Sequence, residues 1–218
     1  MSAPVTVDRP RTRSTEVEQL LVKAAVHLLE EEGPEGVTVR RVAAAAGVAP
    51  MGVYNHFDGK NGLIDAVFEL GFTTLADQMA DVGAVADSLE ALREGCRRYR
   101  RLALEHPRTY EVMFLRAVPG YEPSERAKAV ATESFHVLVH AVRRAMDDGL
   151  LADGDPGAVS QLIWSACHGA VALEIADICL VAPMDDIYDD LVDAVLRGFS
   201  PQDRAGSPAR GARRARAR

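Results

Sequence analysis

Aromatic residues are scarce in this chain, at 6% of 218 residues. Half-buried strands are usually written as alternating Val, Ile, Thr and Tyr, and that pattern is almost absent, which argues against a β fold. Cysteine is limited to Cys96, Cys167 and Cys179. An odd number of widely spaced thiols in apolar surroundings excludes a disulfide framework and reads as reduced core thiols of a cytosolic protein. No Gly-rich phosphate loop is present. The N-terminus, MSAPVTVDRPRTR, is polar and lacks the apolar centre of a signal peptide. What remains is a chain with 48% apolar residues, rich in Ala and Leu. That composition predicts an all-α globular protein with a sizeable core.

Charge is unevenly spread. The net charge is −7, yet both ends are basic. Residues 1–15 set Asp8 against Arg9, Arg11 and Arg13, and the end of the chain, RGARRARAR, is arginine-rich. The body between them is therefore more acidic than the total, and the total cannot be used to exclude nucleic acid. The segment QLIWSACHGAVALEIADICLV, 161–181, approaches the length of a membrane span. It carries His168, Glu174 and Asp177, and acids at a bilayer centre are costly. A helix buried in protein on two sides is the better reading, with no membrane partner.

Breakers and caps predict about nine helices. A helix starts at Ser14–Thr15 and stops at Gly33–Pro34. Thr38 caps a second, 39–46, whose buried face is Val39, Val42, Ala43 and Ala46. Gly47 ends it in a tight turn, and Pro50 suits the first turn of a third helix. A fourth runs from Lys60 to about Ala80. Five more are predicted at 88–105, 108–117, 123–148, 156–181 and 185–198. The domains read as a flexible basic arm (1–15), a three-helix N-terminal domain (16–60), a larger helical domain (61–199) and a disordered basic tail (200–218).

A short helix, a Gly-containing turn and a second short helix form a helix-turn-helix pattern. Val42, Ala43 and Ala46 would bury against Val48, Val53 and Phe57, leaving 49–55 free to enter a major groove. The stretch TVRRVAAAAGVAPMGVYNHFDGKNGLIDAVF, 38–68, resembles the DNA-binding motif of TetR-family transcriptional regulators. Thr38, Val42, Ala43, Gly47, Val48, Tyr54, His56, Phe57, Lys60 and Leu63 all fall in register, and the likeness covers about 14–70. A weaker resemblance lies in WSACHG, 164–169, which is similar to the C-terminal domain type marked by Trp-x-x-x-His-Gly.

The resemblance implies a dimeric helical regulator with a variable C-terminal ligand domain. It implies phosphate contacts from Thr38, Tyr54, His56 and Lys60. It places Pro50, Met51 and Gly52 over base edges and Arg40 at the groove edge. The chain departs from the family pattern at 49–52, where Ala, Pro, Met and Gly stand in place of polar groups. Met51 and Pro50 offer apolar contact with a thymine methyl. Arg40 and Asn55 are then the expected polar base or backbone contacts, with register set by phosphates and DNA shape.

In the C-terminal half, apolar residues surround the helix at 156–181 almost completely, and the last helix carries a stripe. Ile163, Cys167, Ala170, Ile187, Leu191 and Val195 are the candidate dimer face. The resemblance implies a four-helix interface and two recognition helices about 34–36 Å apart on a palindromic operator. Candidate pocket residues are Tyr99, Met113, Phe114, Phe135, Trp164 and His168, a set suited to a largely apolar effector. His168 has two candidate partners, a ligand or a carboxylate such as Glu174.

Other chemistry finds little support. His136 and His140 share a helix face, but no Cys or acid stands at a spacing that would complete a metal site. Ser165, Cys167 and His168 point in different directions around a helix and form no nucleophile–base pair. The chain is therefore expected to be a cytoplasmic regulator rather than an enzyme, without cofactor or metal. Its best description is a repressor released from double-stranded DNA by a small molecule. An effector-independent DNA binder and a helical small-molecule-binding protein with a vestigial helix-turn-helix are the alternatives.

Overall fold

A computed structural model describes residues 14–201. The expected basic arm, apart from Ser14 and Thr15, and the tail from residue 202 lie outside the described residues. Within them the chain forms nine α-helices, a 3₁₀ turn at Val82–Ala84 and no strand. The helices are α1 (Ser14–Glu32), α2 (Val39–Ala45), α3 (Pro50–Phe57), α4 (Lys60–Met79), α5 (Ser88–Glu105), α6 (Pro107–Phe114), α7 (Glu125–Asp147), α8 (Pro156–Ile175) and α9 (Met184–Arg197).

Two compact units result, and they do not follow chain order. One holds residues up to Gly71 together with Arg108–Ala127; the other holds Phe72–Pro107 and everything from Lys128. These packing units are cut differently from the functional domains read off the sequence at 16–60 and 61–199. In the first unit, Leu63, Ile64, Val67 and Phe68 of α4 are buried. Asp65 of α4 accepts hydrogen bonds from the Tyr121 hydroxyl at 2.7 Å and the Ser124 backbone at 3.0 Å. Burial and the adjoining carboxylate push the Tyr121 phenol well up.

The core of the first unit follows helical spacing. Leu21, Ala24, Ala25, Leu28 and Leu29 are buried on α1. Leu20 lies about a quarter-turn off this stripe and is exposed. Val42 and Ala43 on α2, with Val53 and Phe57 on α3, complete the packing of three mutually touching helices. Of the four α2 residues expected to be buried, Val39 and Ala46 are only half-buried, because they flank the contact.

In the second unit α5 packs on α8 and α9, and α8 on α9. Arg100 of α5 ties them together, pairing with Glu174 of α8 and Asp185 of α9 while its guanidinium lies 5.3 Å from the Tyr188 ring centroid. The Tyr188 hydroxyl donates to the Cys96 carbonyl at 2.9 Å. Cys96 and Cys167 are buried free thiols in contact with each other. Cys179 is not a core thiol, because α8 ends before reaching it. Asp177 adopts a left-handed conformation, and the Asp177 and Ile178 N–H groups close on the carbonyls of Glu174 and Leu173. The expected helix through 181 is thus six residues too long. The sixth helix also stops earlier than expected, at Phe114, with Arg116 left-handed two residues on.

Among the described residues α8 alone is long and apolar enough to cross a membrane. Val159, Ile163, Cys167, Ala170 and Val171 are nevertheless buried within its unit, as in a core helix.

Candidate DNA-reading surface and effector cluster

The turn between α2 and α3 is held by backbone chemistry. Gly47 has φ +68, and the N–H groups of Gly47 and Val48 return to the carbonyls of Ala44 and Ala43. This double closure ends α2 and turns the chain for α3; the left-handed position favours glycine. Thr38 accepts a hydrogen bond from the Arg41 backbone and so caps α2. Pro50 takes the first position of α3, where its missing N–H costs nothing.

The rotation of α3 decides what it can touch. Val53 and Phe57 point into the core. At 100° per residue, Met51 and Asn55 then occupy the opposite pole, one turn apart, with Gly52 beside them. Met51 is 64% exposed and Tyr54 53%. Asn55 is exposed, and His56 half-buried beside Phe57, ring centroids 6.1 Å apart. The Tyr54 ring lies over Gly59, where a Cβ would come within 3.5 Å of it. Close approach of α4 to the end of α3 is fixed at Gly62, whose missing Cβ would sit 1.7 Å from the Phe57 carbonyl oxygen.

Three cations of this region differ in what they already hold. Arg41 of α2 clamps Glu32 at the end of α1 with both terminal nitrogens. That pairing holds the Glu32 carboxyl below its ordinary value. Lys60 donates to the Pro34 carbonyl at 3.4 Å. Arg40 stands exposed on α2. The Arg41–Glu32 clamp was not anticipated; an acid at a helix end nine residues before an arginine was its only trace.

The pocket residues divide between the units. Tyr99 of α5, Phe135 of α7, and Trp164 and His168 of α8 come together in the second unit. The Trp164 indole N–H donates to the Tyr99 hydroxyl oxygen at 3.2 Å, and that hydroxyl stands 3.1 Å from His168 Nδ1. Phe135 meets Trp164 edge-on at 6.0 Å, and the Trp164 and His168 rings are 5.5 Å apart. Since the phenol oxygen accepts from the indole, its own proton is available to Nδ1, which assigns the imidazole proton to Nε2. Burial holds the His168 pKa below the usual histidine value. Glu174, one of the two candidate partners for His168, is paired with Arg100. Met113 and Phe114 belong to the first unit, where Met113 lies against Gly71 and the Phe114 ring is 4.9 Å from that of Tyr110.

The candidate dimer face also needs correction. Ile163, Cys167 and Ala170 are buried inside their own unit. The face of α8 left open lies about a quarter-turn round the helix: Leu162, Ala166, Gly169 and Leu173, with Gly169 bordered by open space. On α9, Ile187 is exposed, and Leu191 and Val195 are half-buried.

Residues 21–67 match the family model described as bacterial regulatory proteins, tetR family, and residues 92–199 the one described as tetracyclin repressor-like, C-terminal domain. The uncharacterized HTH-type transcriptional regulator Rv0681 of Mycobacterium tuberculosis is 31% identical over 194 residues, covering 88% of this chain and 82% of that protein. The chain belongs to the TetR family. It is a transcriptional regulator and not an enzyme. TetR-family regulators bind DNA and small-molecule effectors, act as dimers, and are in general soluble cytoplasmic proteins. The HTH-type transcriptional repressor DrrR1 of Streptomyces coeruleorubidus is 33% identical over 115 residues, 51% of this chain and 41% of that protein. Among solved structures, a protein of unknown function from Rhodococcus sp. RHA1 superposes with a TM-score of 0.77 at 22% identity, covering 89% of this chain and all of that one. That likeness speaks to the fold alone.

Proposed function

We propose that this regulator is a homodimeric, cytoplasmic repressor that occupies a palindromic operator and leaves it when a largely apolar small molecule binds. The observation that carries the reading is the rotation of α3, which buries Val53 and Phe57 and turns Met51, Tyr54 and Asn55 outward. DNA reading is assigned to residues 16–60. Thr38, Tyr54, His56 and Lys60 hold phosphates, Pro50, Met51 and Gly52 lie over base edges, and Arg40 and Asn55 supply the polar contacts. Lys60 gives up its single long bond to Pro34 when it does so.

Effector binding and dimerisation are assigned to 61–199. Tyr99, Phe135, Trp164 and His168 offer aromatic walls and a polar relay, which suits a ligand with an apolar body and one hydrogen-bonding group. The contact among Trp164, His168 and Tyr99 supports the Trp-x-x-x-His-Gly domain type. Pairing of the open faces of α8 and α9 across a two-fold axis makes the four-helix interface. The effector then needs only a coupling of about 1–3 kcal/mol to change operator affinity about 5–150-fold.

The test is a gel shift with DNA upstream of the regulator's own gene, with and without metabolites of neighbouring genes. A palindrome-dependent shift that a metabolite abolishes is expected. A shift that no metabolite alters favours an effector-independent regulator, and no palindrome-dependent shift at low salt sinks the proposal. Lys60→Ala should weaken all sites evenly and flatten the salt slope by about one unit, whereas Arg40→Ala should alter preference among operator variants.

A further inference from the structure

The outward pole of α3 is chemically unusual for a surface that reads bases. Opposite the buried Val53 and Phe57 stand Met51 and Asn55, with Ala49 and Pro50 exposed at the helix start. Gly52 contributes no side chain, and a Cβ there would meet only Val48 at 3.6 Å, so nothing in the fold forces the glycine. The leading surface is therefore carbon and thioether, with one amide a turn behind it. Base edges in the major groove are polar with a single exception, the C5 methyl group of thymine. A polar edge facing Met51 would lose water without gaining a partner, and that costs affinity. A methyl facing it loses nothing. The amide at Asn55 matches the N6/N7 edge of adenine, the base paired with thymine.

We propose that Met51 is a specificity-determining residue that selects operator positions by the thymine C5 methyl group, with Asn55 reading an adenine one helical turn along. The inference rests on the operator-binding reading above. Burying one methyl group is worth about a four-fold change in affinity. A two-fold operator presents the contact twice, so removing both methyls should cost about 16-fold.

The experiment selects duplexes from a random library with the full-length protein and remakes the best duplex with deoxyuridine in place of thymidine, one position at a time. Uracil keeps every hydrogen-bonding group of thymine and lacks only the methyl. For the unmutated regulator, symmetric substitution at one pair of half-site positions should raise Kd by about 10-fold or more. Met51→Ala should bind thymidine and deoxyuridine versions of that position alike, with its helicity checked by circular dichroism. Equal affinity for both duplexes in the unmutated protein overturns the proposal. So does discrimination that survives in Met51→Ala, since it would then come from DNA shape. If selection recovers no sequence-specific duplex, the operator reading fails and this inference with it.

Discussion

Glu30 of α1 caps the start of α6 through Thr109: one carboxylate oxygen accepts from the Thr109 backbone N–H at 2.9 Å and from its hydroxyl at 2.6 Å. The other oxygen accepts from the Arg108 N–H at 3.1 Å. The first N–H groups of a helix have no partner within it, so a carboxylate from a distant helix satisfies both hydrogen bonding and the helix dipole. Glu30→Ala should lower stability by about 1–2 kcal/mol. Glu30→Gln, which keeps one carbonyl acceptor, should cost less. Urea unfolding midpoints decide it; an unchanged midpoint in Glu30→Ala, or a larger loss in Glu30→Gln, would sink the capping role.

Two glycines in the helix-turn-helix region should respond to alanine in opposite ways. At Gly62 the new Cβ would stand 1.7 Å from the Phe57 carbonyl oxygen, a backbone atom that cannot swing aside. Gly62→Ala must part α4 from α3, and a loss of about 1–3 kcal/mol or more is expected. At Gly52 the new Cβ finds ordinary contact, and alanine in a helix interior gains about 0.5–1 kcal/mol over glycine. Thermal unfolding of both variants should therefore bracket the parent protein. Equal Tm shifts would contradict this packing.

How much of this was readable beforehand varies by element. Helices with a breaker or cap at each end, such as α2 between Thr38 and Gly47, follow from local chemistry. The end of α8 does not: Asp177 turns left-handed without glycine, and the apolar residues beyond it had looked like more helix. The α3 face was legible because Val53 and Phe57 fix the rotation of a short helix. The dimer face was not, since apolar residues surround α8 and only packing shows which side its own unit uses. Ile163 and Cys167 went inward; Leu162 and Leu173 did not. Nor does sequence order reveal that 108–127 folds with the first unit, because Glu30 and Asp65 are ordinary surface acids until their partners are known.

His168 should make the regulator acid-sensitive. Burial depresses its pKa below the unfolded value of about 6.5. Above that value the imidazole is neutral in both states and pH has no effect through it. As pH falls below it, the unfolded chain takes up a proton that the native state resists, so stability declines. Charging Nδ1 would also turn the acceptor of the Tyr99 hydroxyl into a donor. His168→Gln should flatten the stability profile below about pH 6.5 relative to the parent protein. Parallel profiles for the two proteins would remove His168 as the source.

The open faces of α8 and α9 give the last expectation. Leu162 is 50% exposed and Leu173 46%, three turns apart on one side of α8, with Ala166 and Gly169 between them. Large residues at the ends and small ones in the middle let a second helix approach closely at the centre and interlock at the edges. Neither leucine supports the subunit's own core, so a charge at either should leave the monomer folded. It would, however, bury a carboxylate without a partner in the dimer, which is strongly unfavourable. Leu162→Glu and Leu173→Glu should each yield a helical monomer by light scattering, with loss of palindrome binding. Ile163→Glu, by contrast, places a charge in the subunit core and should unfold it. A Leu173→Glu protein that remains dimeric would move the interface to another face.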